Sequence, residues 1–370
     1  MKAKPSEGFL DFFQDLPDPR INRKKLYSVD EILLLTLAAV ICAAEGWEDI
    51  ELYGKQKLEY LRKFLPYANG IPSDDTLRRF FRRINPQEFQ KRFAAWAENL
   101  KTNVQKLISI DGKVSRHSFD GDKSPLHTVS AFASEARLVL AQTKVSDKSN
   151  EIKAIPELLE LLDINGTIVT IDAMGCQREI AEQIIESKAD YVLSLKGNQG
   201  KLHQDIKLIF SDDGLLKELD ISRAQTVDGG HGRIETRTCR ALKIPESLAK
   251  IHQWPGLKTI IEIDSIREHK EHCTREKRYY ISSLEKDASA LAHIIRSHWS
   301  IENSLHWILD VSFNDDASRI RKGNAPQNIG IIKHAALNML QQNKQKRESI
   351  KGLRKAAGWN DERLTSIIQQ

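Results

Sequence analysis

Between Lys106 and Gly197 the chain changes texture in an order that few folds accommodate. "LISIDGKV", "HTVSAFAS" and "LVLAQTKV" are short runs rich in Val, Ile, Thr and Ala, set apart by polar or charged turns, and they predict three sequential strands joined by hairpins. "EIKAIPELLELLD" then reads as a helix, "GTIVTIDAMG" as a strand, "REIAEQIIESKA" as a helix and "DYVLSLKG" as a strand. A helix between two strands is the crossover that parallel pairing needs.

The order β-β-β-α-β-α-β is that of ribonuclease-H-like folds. The expected class is therefore α/β: a ribonuclease-H-like mixed sheet flanked by helices, with a β-rich insertion and an N-terminal helical domain. Residues 1–100 form that helical domain, in which Ser28 and Glu31 make a capping box ahead of the apolar run Ile32–Ala44. The run falls short of the roughly 20 residues needed to cross a bilayer and is expected as a buried helix. In residues 198–286, "DGGHGR" predicts a hairpin turn, and "LKTIIEIDSI" and "KRYYISSL" predict two further strands, which gives the β-rich insertion. The catalytic core is thus split into 101–197 and 287–343, followed by a basic C-terminal tail, 344–370. Four cysteines without a CxxC pair, and no signal peptide at the start, predict free thiols in a reducing compartment.

Two of the apolar strands carry an Ile-Asp pair in similar settings, giving Asp111 and Asp172. An aspartate at the end of a buried strand loses hydration unless it is paired or binds a cation, so two on neighbouring strands imply a shared positive charge. Mg²⁺ suits such a place because it prefers oxygen ligands and keeps several waters. A third acid comes from "HWSIENSLHWILDVSFNDD". At about 100° per residue, Ile301, Leu305 and Ile308 form an apolar stripe, and Glu302, His306 and Asp310 run beside it. Glu302 is then expected to turn toward the sheet edge and join the two aspartates, with His298 and Trp299 bordering the pocket and Trp307 on the exposed side. The competing reading is an amphipathic helix with solvated acids.

The net charge of +5 is unevenly spread: Ser318–Gly358 carries +9 and the rest of the chain −4. Binding to a phosphate backbone is expected there, through Arg319, Arg321 and Lys322 among others. On a helix capped by Ser73, the residues Arg78, Arg79, Arg82 and Arg83 line one side, a pattern that suits DNA reading and equally a solvated face. Lys113, Arg116, His117 and Lys196 lie near strand ends and, with His298, are candidates for phosphate contacts. "HKEHC" offers His269, His272 and Cys273 but lacks a second ligand pair for zinc. No P-loop or HExxH motif occurs in the sequence.

The words "IDGKVSRHS", "HTVSAFAS", "KSNEIKAIPELL", "TIDAMGCQREIAEQI", "YVLSLKGNQG", "RYYISS", "HWSIENSLHWILDVSFNDD" and "RIRKGN", in this order across nearly the whole chain, resemble the H-repeat-associated proteins. These are bacterial insertion-sequence transposases of the DDE type. The resemblance implies a catalytic and metal-binding triad at Asp111, Asp172 and Glu302, two Mg²⁺ or Mn²⁺ ions, and strand cleavage by water followed by 3′-hydroxyl strand transfer. It further implies double-stranded DNA, as transposon ends and target, for a partner, a homodimer on paired ends, and a cytoplasmic, nucleoid-associated place of action away from membranes. A metal-dependent nuclease of the same fold that does not join, and a DNA-binding transposon relic, are the alternatives. Many strand-inserted members place Tyr, Arg and Lys around the last glutamate; here those places hold Ile295, His298 and Leu309, so the DNA contacts of that trio are not carried over. Arg296, His298, Trp299, Asp310, Asp315 and Asp316 stand nearest to replace them.

Overall fold

The computed structural model describes residues 8–21, 25–100, 106–119, 124–145, 151–230, 232–269 and 272–369. In chain order the elements are α1 (Val29–Ile41), α2 (Trp47–Leu61), α3 (Asp74–Arg83), α4 (Pro86–Asn99), β1 (Leu107–Ser115), β2 (Leu126–Ala133), β3 (Leu138–Lys144), α5 (Glu151–Leu159), β4 (Ile168–Ile171), α6 (Arg178–Glu186) and β5 (Asp190–Leu195). There follow α7 (Gly200–Ser211), α8 (Leu215–Glu218), β6 (Ile221–Gly230), β7 (Arg233–Lys243), α9 (Glu246–His252), β8 (Thr259–His269), β9 (His272–Ser282) and α10 (Ala288–His298). A π-helical turn (Glu302–His306), α11 (Trp307–Phe313), α12 (Ala325–Asn343), α13 (Ile350–Trp359) and α14 (Asp361–Ile368) complete the chain. Two compact units divide it: the first comprises Met1–Val104, Gly112–Asn150 and Glu302–Gln370, and the second Gln105–Asp111 and Glu151–Ile301.

The second unit holds a mixed sheet. β1, through Leu107–Ile110, pairs parallel with β4, and β4 parallel with β5, as the helical crossovers predict. β9 then pairs antiparallel with β5, with Val192 opposite Ser282, and β8, β7 and β6 follow antiparallel. The β-rich insertion therefore prolongs the sheet of the core. One face of these strands is closed by α10, where Leu291, Ile294 and Ile295 pack on Cys239, Ala241, Ile261 and Ile263. Glu262 is fully buried and is held by Arg240 and Lys277, the pairing a carboxylate needs inside a sheet. His269, His272 and Cys273 sit exposed at the far end of the β8–β9 hairpin.

In the first unit, α1 begins as the capping box predicts: the Glu31 amide donates to Ser28 Oγ (3.0 Å) and the Ser28 amide to Glu31 Oε2 (2.9 Å). Its apolar run is buried from Ile32 to Ile41 and packs on α12, itself largely buried. Asn338 of α12 clamps β3, accepting from the Val139 amide and donating to the Val139 carbonyl, both at 2.8 Å. The residues expected as a basic tail carry α13 and α14, with Leu353, Ala357, Leu364 and Ile367 buried. Arg354 points inward: its guanidinium lies 4.0 Å from the Phe313 ring centroid and donates to the Val40 carbonyl (2.7 Å), and burial pushes its pKa down to about 10. Lys333 is buried too, so part of the +9 belongs to the core and not to a surface for DNA. All four cysteines are free thiols. Among the described residues no helix is long and apolar enough to cross a membrane.

Candidate active site

Parallel register sets the first two acids. Ile110 lies opposite Ile171, so Asp111 and Asp172, the next residue on each chain segment, leave adjacent strands at the same end. Neighbouring strands are about 4.8 Å apart, close enough for two carboxylates to share a cation. Asp172 turns the chain: its Oδ1 accepts from the amides of Met174 (3.0 Å) and Gly175 (3.3 Å). Burial, aided by the charge of Glu151, raises its pKa above the usual aspartate value despite those amides and the nearby Lys196. A carboxylate kept where its charge is disfavoured is a fit place for a hard cation. Lys196, exposed just past β5, stands at this same end of the sheet.

Gly175 packs the loop down. A Cβ there would run into the Ile171 and Ile155 side chains. Gly175→Ala is expected to destabilise the fold by about 1–3 kcal/mol, read from urea unfolding, since the aliphatic neighbours must move.

Beneath the aspartates lies a polar chain that the sequence did not reveal. Thr170 Oγ1 donates to Ser109 Oγ (3.1 Å) and lies 2.9 Å from His298 Nδ1. Ser109 and Thr170 are each two residues before an aspartate, and His298 is the last residue of α10, four before Glu302. His298, expected at a DNA phosphate, is thus half-buried against β4. Trp299 beside it lies under the Arg278 guanidinium, 5.2 Å from the ring centroid, and remains 43% exposed.

Glu302 opens the π-helical turn of the first unit. The extra residue per turn shifts the apolar face: Ile301, Leu305 and Leu309 are buried and Ile308 is only partly so, which corrects the predicted stripe. The Glu302 side chain is 57% exposed, and Oε2 lies 3.1 Å from Nδ1 of the buried His306. That hydrogen bond holds its pKa below the usual glutamate value, so the carboxylate is ionised near neutrality. Trp307 is exposed as expected.

Lys113, expected at a phosphate, is paired with acids of its own chain. Its side chain is 10% exposed, and Nζ meets Asp310 Oδ1 at 2.6 Å and Asp316 Oδ1 at 3.4 Å. Asp315 is held by Lys333 (2.7 Å) and Ser115 (2.9 Å). Asp310, Asp315 and Asp316 therefore serve internal lysines. His117 Nδ1 lies 2.6 Å from the Asp316 carbonyl, while Arg116 is 79% exposed beside the Asp316 carboxylate. Arg321 donates to the His117 carbonyl (2.9 Å) and covers Phe119; Arg319 and Lys322 are exposed. On α3, Arg78 bonds Asp74 (2.9 Å) and Glu48 (3.2 Å), and Arg79 bonds Asp75. Arg82 and Arg83 are exposed in the last turn, where positive charge suits the helix dipole.

Residues 102–339 match the family described as Transposase DDE domain, and residues 10–97 that described as DDE_Tnp_1-associated. The chain is 44% identical over 361 residues to the putative transposase YncI of Escherichia coli O157:H7, covering 96% of this chain and 92% of that protein. It is 39% identical over 364 residues to the H repeat-associated putative transposase YhhI of Escherichia coli strain K12, covering 95% of each. Among solved structures, the piggyBac transposase synaptic complex with hairpin DNA matches with a TM-score of 0.47 at 11% identity, covering 92% of this chain and 71% of that one.

Proposed function

The chain belongs to the DDE transposase family, in its H repeat-associated group, and from that premise we propose that it cuts DNA at transposon ends and joins the freed 3′-hydroxyl to target DNA with a carboxylate triad of Asp111, Asp172 and Glu302. The observation that carries this reading is the register of β1 with β4, which sets two aspartates side by side at one end of a parallel pair.

The donor set is all carboxylate and includes one acid whose charge is disfavoured without a counter-ion, so it fits Mg²⁺ or Mn²⁺. Asp111, Asp172 and Glu302 would hold two such ions, which when bound lower the pKa of attacking water and stabilise both the entering and the leaving oxygen of an in-line displacement at phosphorus. Asp111, beside Asp172 on the neighbouring strand, would serve both ions. Attack by water breaks the P–O3′ bond and leaves a 3′-hydroxyl and a 5′-phosphate. The 3′-hydroxyl then attacks a target phosphodiester, making one P–O bond as another breaks, and no protein atom becomes covalently attached. His306, with Nδ1 3.1 Å from Oε2, would hold the Glu302 carboxylate in place. The exposed Arg82, Arg83, Arg116, Lys196, Arg319 and Lys322 would meet phosphates, and paired ends call for a homodimer.

A strand-joining assay with Mg²⁺ and the DNA that flanks the gene tests this. Joined product is expected, with Asp111→Asn abolishing cleavage and joining and leaving DNA binding within about twofold. Cleavage without joining would point to a nuclease, and binding without cleavage to a relic.

A further inference from the structure

The hydrogen-bonded chain Ser109–Thr170–His298 joins three segments at fixed distances from the three acids. Ser109 lies on β1 two residues before Asp111, Thr170 on β4 two residues before Asp172, and His298 ends α10 one helical turn before Glu302. Ser109 and Thr170 are almost fully buried, at 0% and 2% exposure, on the sheet face they share with Leu107, Ile168 and Val192 and that α10 covers. Two hydroxyls in so apolar a layer lose hydration and must be recovered by specific partners, and each is the other's partner. The Thr170 hydroxyl has one proton. With that proton given to Ser109 Oγ or to the Ile108 carbonyl (3.4 Å), its lone pair accepts from His298 Nδ1–H, which fixes the imidazole tautomer and the direction in which α10 leaves the sheet.

We propose that His298 is a positioning residue, locked by Thr170, that sets where the chain leading to Glu302 departs from the strands bearing Asp111 and Asp172. This deepens the carboxylate-triad reading and rests on it. Valine at 170 keeps the shape and removes the hydroxyl, leaving His298 Nδ1 without this partner. Serine at 170 keeps the hydroxyl and so serves as the conservative rescue.

The test is Mn²⁺ binding to the full chain without DNA, by titration calorimetry, alongside thermal unfolding and DNA binding as a function of salt. Thr170→Val and His298→Asn are each expected to weaken Mn²⁺ binding by roughly 10-fold to 100-fold, the range seen when groups that orient metal ligands are removed. The double variant should be no weaker than the worse single one, Thr170→Ser should stay within about threefold of the unmodified chain, and DNA affinity should hold within about twofold. A DNA affinity that falls in His298→Asn, with a salt slope reduced by about 1 and Mn²⁺ binding intact, would make His298 a phosphate contact and overturn the proposal. Unchanged Mn²⁺ affinity in both single variants would overturn it as well. Absence of Mn²⁺ binding by the unmodified chain would instead remove the metal site itself, and this inference with it. Should Thr170→Val fail to fold, His298→Asn, at a half-buried position, decides the matter alone.

Discussion

Asp172→Asn is expected to lower strand cleavage by roughly 1000-fold while leaving the fold as stable as before or slightly more so. The two effects have one cause. Burial and the charge of Glu151 push the Asp172 pKa above its unfolded value, so at neutral pH folding carries an ionised carboxyl into surroundings that disfavour its charge. That charge opposes folding above the raised pKa, and the opposition fades as pH falls and the carboxyl takes up a proton. Asparagine removes the charge, yet its Oδ1 still accepts from the Met174 and Gly175 amides, so the turn survives. The stability difference between the two chains should therefore be largest near neutrality and vanish in acid. Single-turnover cleavage with Mg²⁺ and urea unfolding at several pH values read the two halves. A variant that loses stability together with activity would make Asp172 a structural residue.

The alternation from Lys106 to Gly197 was legible because strand and crossover helix differ in period and the breakers fall between them. Hairpin words such as "DGGHGR" marked the strands of the insertion, but a single sequence does not say that β9 pairs with β5. Pairing partners are set by which edge is open, and that is a property of the assembled sheet. The Ile-Asp pairs were legible as acids at strand ends; their side-by-side register needed the parallel pairing of β1 and β4.

Charge was the least legible feature. Lys113, Lys333 and Arg354 read as surface cations, yet Lys333 and Arg354 are buried and Lys113 partly so, because a basic side chain is drawn inward when acids or carbonyls distant in sequence meet it. Ser109 and Thr170 passed unnoticed for the opposite reason, since a hydroxyl in a β run is ordinary until its partner is known. The π-turn also has no clear signature. Apolar residues at 301, 305, 308 and 309 satisfy both an α and a π spacing, and the choice fell to packing, which buried Leu309 in place of Ile308.

The largest loss of stability is expected from splitting the buried pair of Asp315 and Lys333. Asp315 accepts from Lys333 at 2.7 Å and from Ser115 at 2.9 Å, with Lys113 Nζ 3.9 Å away. Desolvation alone would raise its pKa; the two lysines and the hydroxyl outweigh it and bring the pKa down to about 2. Because the folded value lies below the unfolded one, the carboxylate contributes stability that is complete above the unfolded pKa of about 3.9 and is lost as pH falls from there through about 2. Asp315→Ala leaves Lys333, 4% exposed, as a buried cation without its main partner, and should destabilise the fold by about 3–5 kcal/mol. Asp315→Leu combined with Lys333→Met removes both charges and should recover most of that loss, since a desolvated pair contributes little net stability over apolar packing. Urea unfolding at neutral pH and at pH 3 distinguishes the cases: the unmodified chain should weaken in acid more than the double variant does. Equal acid sensitivity in both would place the acid-labile charge elsewhere in the fold.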